Sequence, residues 1–380
     1  MFNHLQDLLA EIQERNQSEE ILPHEEEFIE QIHYLSSWEK IFLEKRLYSL
    51  EWQVGSPHLF AILQKEGIFN ISLFITSSNI SNDDNILILN DLLEVEHSLL
   101  AEVILGAAAE IPQSEKLLCL LERCCDSALR DLLNDPQLKI PNYLEHLEGL
   151  LRDKEDLQHF RNLHLEVLIS MEHSRVLEAL KKQKIWAGED VFEANKSLKE
   201  LMGYVTKPQR ESLDALLGQM TKTNFSGWKY SLGILRFILK TASMDDQLHV
   251  KKYVEGLFWK ACIARNEQQF QICVLLAREM CYARAEEKKS TYLTWYKATV
   301  SEMSYKIQPE DFRTILTFLT DLIRVEEDPD FLDVHITSAV PAPPRCNEIV
   351  HEFKQISRIR RNELNPGIVQ DEAGVLILDP

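Results

Sequence analysis

The chain has 380 residues, 45% hydrophobic and 27% charged, the composition of globular domains with room for sizeable cores. Only 12 residues are glycine, less than half the roughly 7% of an average protein. Phosphate-cradling loops and hairpin turns therefore have few places to form, which speaks against a Rossmann domain, a P-loop enzyme and most β-sandwiches. With 41 basic and 61 acidic side chains the net charge is −20, a field that disfavours non-specific contact with nucleic acid or anionic membrane.

Apolar residues recur at spacings of three and four along nearly the whole chain, the signature of amphipathic helices. Leu5, Leu8, Leu9 and Ile12 set a first stripe. A second, after Pro23, runs through Phe28, Ile32, Leu35, Ile41 and Phe42 towards Trp52. Ser56-Pro57 reads as an N-cap followed by proline in the first turn. Ile68–Thr76, where Ile71, Leu73 and Ile75 alternate with smaller or polar residues, is the one strand-like run. Ile86–Leu89 after Asp83-Asp84 starts a helix, Pro112 can open one carrying Leu117, Leu118, Leu121 and Leu132, and Pro141 another. A long stripe from Asp153 continues through Leu157, Leu165, Leu168, Val176 and Leu180. Thr206-Lys207-Pro208-Gln209 fits a capping box ahead of Leu213, Leu216 and Leu217. Further helices are expected over 228–242, 247–265, 267–287, 288–305, 310–326 and 346–363. Short breakers between them imply antiparallel neighbours, and no repeat consensus returns at the periods of ankyrin, tetratricopeptide or HEAT units. The expected fold is all-α: an irregular α-solenoid or multi-helix bundle of antiparallel helices with at most one isolated strand.

Charge divides the chain unevenly. Residues 1–221 carry a net −19, residues 222–297 a net +6 and residues 298–380 a net −7. The basic segment is also aromatic-rich. These shifts suggest an acidic N-terminal helical region over 1–186, a second helical region over 187–327 containing the basic segment, a proline-rich connection over 328–345, and a terminal helix with an extended aliphatic tail over 346–380.

Chemistry-bearing patterns are sparse. Glu30/His33, Glu94/His97 and Glu348/His351 are Glu-x-x-His pairs, which on facing helices can hold a di-iron centre, but Glu30 and His33 sit among Glu25, Glu26 and Glu27 and read as a solvated face. Cys119, Cys124 and Cys125 fall on one predicted helix and Cys262, Cys273 and Cys281 on two others, without the paired short spacing that zinc requires; they read as reduced core thiols. No G-x-S-x-G, GxGxxG or GK[ST] motif is present. No catalytic residue, metal or cofactor is expected.

Two surfaces remain as candidates. In the basic segment Lys229, Lys240, Lys251, Lys252, Lys288 and Lys289 could supply charge, and Trp228, Tyr230, Trp295 or Tyr296 could stack on bases. Lys354, Arg358, Arg360 and Arg361 form a second basic group, which suits the C-terminal end of the last helix. The tail Val375-Leu376-Ile377-Leu378-Asp379, preceded by Asp371 and Glu372, is an aliphatic run flanked by acids. It resembles a SUMO-interacting motif, which implies addition as a strand to a partner's sheet; the same run can instead fold back as a strand or hook on the chain itself, or stay disordered. No apolar run reaches the roughly 18 residues of a membrane span, and the acidic opening segment carries no signal or transit peptide. The leading reading is a non-enzymatic helical scaffold that binds other proteins as a subunit of a larger intracellular complex, cytoplasmic or nuclear. The alternative is a nuclear, genome-maintenance or chromatin-type adaptor that uses the basic segment for nucleic acid or the tail for a modifier. A third reading is an enzyme whose site spacing does not reveal.

Overall fold

The described residues of the computed structural model are 2–16, 25–50, 57–77, 82–95, 100, 103, 115–135, 154–364, 369–370 and 376–377. In chain order the helices are α1 (Phe2–Asn16), α2 (Glu25–His33), α3 (Ser37–Leu47), α4 (Pro57–Lys65), α5 (Ile71–Ser77), α6 (Asn82–Val95), α7 (Glu115–Asn134) and α8 (Lys154–Ser170). Next come α9 (Val176–Gly188), α10 (Val191–Ala194), α11 (Lys196–Val205), α12 (Gln209–Met220), α13 (Trp228–Thr241) and α14 (Met244–Ala264). The last six are α15 (Glu267–Tyr282), α16 (Lys288–Ala298), α17 (Met303–Lys306), α18 (Pro309–Ile323), α19 (Pro329–Thr337) and α20 (Asn347–Leu364). The fold is all-α. Among the described residues the sole extended pairing is antiparallel, β1 (Val369–Gln370) against β2 (Leu376–Ile377).

The chain divides into two compact units, one of residues 1–168 with 195–205 and one of 169–194 with 206–380. In the first, α1 packs on α3 and α4, α4 on α6, and α7 on α5, α6 and α11. The strand-like run of the sequence is helical here. Asn70 Oδ1 accepts from Leu73 N at 2.9 Å and so caps α5. Ile71, Phe74 and Ile75 are buried while Leu73 is 42% exposed, a helical stripe rather than an alternation. The Phe60, Phe69 and Phe74 rings lie 5.1–6.0 Å apart between centroids, a cluster that rewards the helical turn and needs no strand partner.

The second unit is built around α15, which contacts α9, α13, α14, α16 and α18. Phe270 to Glu279 is an unbroken buried run, as expected of a helix enclosed on all sides. The short link from α14 to α15 makes these two antiparallel neighbours. Gly233 of α13 lets Phe192 of α10 approach: an added Cβ would stand 2.5 Å from the ring.

Several expected boundaries move. The stripe proposed to cross residues 157–180 is two helices, because Ser174 N donates to Ser226 O at 2.8 Å rather than to a helical carbonyl. The stripe from Phe28 to Trp52 is broken by Ser36, which accepts from Glu39 N while the Glu39 carboxylate accepts from Ser36 N, a reciprocal cap. α12 is preceded by Pro208 with no side-chain cap in place of the proposed Thr206 box. Pro329, read as an interruption, stands at the first turn of α19, where a missing N–H costs nothing, and Asp328 caps it. Ser56, Pro112, Pro141 and Asp153 lie outside the described residues.

Candidate interaction surface

Most of the basic segment's charge is answered within its own unit. Lys229 Nζ lies 2.9 Å from Glu172, Lys240 2.7 Å from Asp190, Lys288 2.6 Å from Asp330 and 2.9 Å from Asp328, and Lys289 2.8 Å from Asp333. Lys251 faces Glu255 at 3.9 Å, one turn along α14, and Lys252 is exposed. Trp228 and Tyr296 are fully buried, Trp295 is 2% exposed and Tyr230 9%. These rings are core, so the proposed row of stacking aromatics does not exist as a surface. The near-continuous apolar run Leu232–Leu235 and Ile238–Leu239 that follows Trp228 and Tyr230, as on a helix buried all round, was the available sign.

The second basic group clamps the terminal helix. Lys354 Nζ donates to the carbonyls of His335, Ile336 and Ser338, closing the C-terminal end of α19. Arg360 lies 2.7 Å from Glu327 and Arg361 2.8 Å from Asp333, while Arg358 is exposed. Burial and the neighbouring Arg358 lower the Lys354 ammonium to about 8. The positive charge is spent mainly on docking α20, in addition to any favourable interaction with its own helix end.

Two ion pairs are wholly internal. Arg236 Nε donates to Glu279 at 2.6 Å, and Gln183 Nε2 to the same carboxylate at 2.7 Å. Arg278 pairs with Glu326, whose carboxylate also accepts from Asp328 N at 2.9 Å. Burial pushes both glutamates up, while the facing guanidinium opposes it. His335, buried and 3.1 Å from the Tyr292 hydroxyl, is held well below its usual range by burial first and by Arg278 and Lys354 second.

Where α14 leaves α13 and passes over the end of α15, an apolar groove of about 360 Å³ opens. Leu239 and Trp295 wall it, and Met244 and Leu248 stand at its edge, 73% and 47% exposed. Its polar fringe includes Gln247, Lys251 and Arg284, the last 3.5 Å from Glu287, and the hydroxyls of Ser290, Thr291 and Thr294. The sequence assigned Lys251 to a surface here but missed Met244 and Leu248. Their signal was the Ser243-Met244-Asp245-Asp246 cap: Ser243 Oγ accepts from Asp246 N at 3.1 Å, starting α14 three residues before the expected 247. Read with that start, Met244 and Leu248 share one face, one turn apart. Methionine at the rim of an apolar groove adapts to varied side chains, the chemistry of helix-in-groove recognition.

The remaining candidates are structural or fall outside the description. Cys124, Cys125, Cys262, Cys273 and Cys281 are buried free thiols, whereas Cys119, expected in the core with them, is exposed; burial pushes Cys125 and Cys262 up to about 12, away from the reactive thiolate. No group of three metal-ligating side chains occurs among the described residues. Likewise, no described helix is long and apolar enough to cross a membrane. In the tail, Leu376 and Ile377 form β2, while Val375, Leu378 and Asp379 lie outside the described residues. Comparison with known proteins finds the family described as Fanconi anaemia group A protein N terminus, matched over residues 12–365. No curated protein matches the chain.

Proposed function

Since the chain belongs to the family of the Fanconi anaemia group A protein N terminus, a non-enzymatic component of a multi-protein genome-maintenance complex, we propose that it is a nuclear helical adaptor that holds other subunits of such a complex. The reading combines the scaffold inferred from the helical sequence with the genome-maintenance setting of its alternative. The observation that carries it is the Met244–Leu248 groove. Two large apolar side chains lie open beside an apolar cleft, and a partner helix would bury them.

Protein is a better occupant than nucleic acid. Lys229, Lys240, Lys288 and Lys289 are engaged by carboxylates, and the aromatic rings nearby are core. A duplex would have to displace those acids and overcome the −20 field. For the tail, β2 is already paired antiparallel with β1 of this chain, which favours fold-back of Leu376 and Ile377 over addition to a partner's sheet.

Affinity purification of the tagged chain and of Leu248→Asp, followed by mass spectrometry, tests the groove. The expected result is that stoichiometric subunits accompany the parent chain and leave with the variant, both proteins giving the same helical circular dichroism. Retention of every subunit by Leu248→Asp contradicts the groove assignment. A salt-sensitive duplex shift abolished by Lys251→Glu with Lys252→Glu favours the nucleic-acid reading instead.

A further inference from the structure

α9 is anchored on one side only. Ala179, Leu180, Gln183 and Trp186 are buried, and Gln183 donates to Leu275 O at 2.9 Å as well as to Glu279. The opposite side carries Leu177, Lys181, Lys184, Ile185 and Gly188, all exposed and spaced to share one helix face. Leu177 is 43% and Ile185 59% exposed. The last four of these residues border a shallow depression of about 660 Å³ whose lining is completed by Lys182, which pairs with Glu178, and by Glu189 and Glu327.

The charge on this face is unlike that of the basic segment. Lys184 Nζ donates to the backbone carbonyl of Glu327 at 3.0 Å, and the Glu327 carboxylate is held by Arg360 at 2.7 Å. Among the described residues neither Lys181 nor Lys184 pairs with a carboxylate. In a chain of net charge −20, two unneutralised ammonium groups beside two bare aliphatic side chains form a surface of definite complement: carboxylates beside aliphatics.

We propose that this face of α9 docks an acidic amphipathic helix of a partner protein. Leu177, Lys181 and Ile185, one turn apart, make a ridge of the kind that interdigitates with a second helix. The partner's aliphatic side chains cover Leu177 and Ile185, its Asp or Glu residues meet Lys181 and Lys184, and Gly188 leaves open space at one end, where a Cβ would meet nothing within 4 Å. A phosphate backbone has no use for the aliphatics. The site stands apart from the Met244–Leu248 groove and does not rest on it.

The test is fluorescence anisotropy with a labelled synthetic helical peptide bearing Leu at i and i+4 and Glu between them, and with its Lys-for-Glu counterpart. The parent chain is expected to bind the acidic peptide and not the basic one. Lys181→Glu with Lys184→Glu, and separately Ile185→Asp, weaken binding about tenfold or more. Lys297→Glu, exposed and in neither surface, leaves it unchanged. Lys181 and Ile185 point away from the anchoring face, so thermal melts of Lys181→Glu and Ile185→Asp stay near that of the parent; Lys184→Glu also gives up the bond to Glu327 O, and Leu177→Asp serves as a further variant should one unfold. No binding of the acidic peptide, equal binding of both peptides, undiminished binding by the variants, or tighter binding to phosphatidylserine vesicles than to the peptide overturns the proposal.

Discussion

Arg278 and Glu279 are neighbours in sequence, yet they serve two separate buried pairs, with Glu326 and with Arg236. Removing one member of such a pair strands a charge without water, so Arg236→Met is expected to cost about 3–5 kcal/mol of stability. The double variant Arg236→Met with Glu279→Met should recover most of that loss in urea denaturation, because the desolvation penalty leaves with both charges. His335 gives a pH prediction. Its folded-state affinity for a proton is depressed below the ordinary 6.5, so below that pH the unfolded chain binds more protons and stability falls with acidification. Buried Glu279 and Glu326, shifted the other way, oppose this trend. The informative quantity is therefore the difference between the parent and His335→Gln, whose stability should fall less steeply from pH 7 to about 5. None of these partnerships was legible in the sequence, since the residues joined lie 43 and 48 positions apart and spacing arguments see one helix at a time.

Elements were far more legible than their ends. Helices near 228–242, 267–287 and 310–326 follow from apolar spacing, since the enclosed core repeats that spacing. The errors came where a polar side chain ends or redirects the backbone: Asn70 turns an alternating run into α5, Ser36 splits a stripe, and Ser243 starts α14 early. Pro329 was read as a breaker because its missing N–H was weighed without Asp328 beside it as a cap. Asp328→Ala is accordingly expected to cost at least about 1 kcal/mol through the lost cap of α19; the lost pairing with Lys288 adds to it. Lys354→Met leaves the His335, Ile336 and Ser338 carbonyls without their ammonium donor, and hydrogen exchange should reveal faster opening where α20 docks on α19. Gly233→Ala forces Phe192 aside in a packed interior and should destabilise by about 1–3 kcal/mol, measured by the same denaturation.

At the scale of the whole molecule, the positive charge of residues 222–297 is largely answered within their own unit, while the acidic excess of residues 1–221 remains. Residues 222–297 are basic because they sit among the acids of their own unit: Glu172, Asp190, Asp328, Asp330 and Asp333 answer four of their lysines. That compensation was not visible from net charges alone, because a segment's excess says nothing about which side chains meet. It also removes much of the case for a nucleic-acid face and leaves apolar exposure as the better guide to function. Met244 and Leu248 carry that exposure at a groove, in a member of a family whose protein works inside a multi-protein complex. The most direct measurement is co-purification of the complex subunits with the parent chain, with Leu248→Asp and with Lys251→Glu plus Lys252→Glu, at low and at moderate salt. Apolar docking predicts that subunits stay with the parent and the lysine variant at both salts and are lost from Leu248→Asp. Loss from the lysine variant with retention by Leu248→Asp would contradict the account.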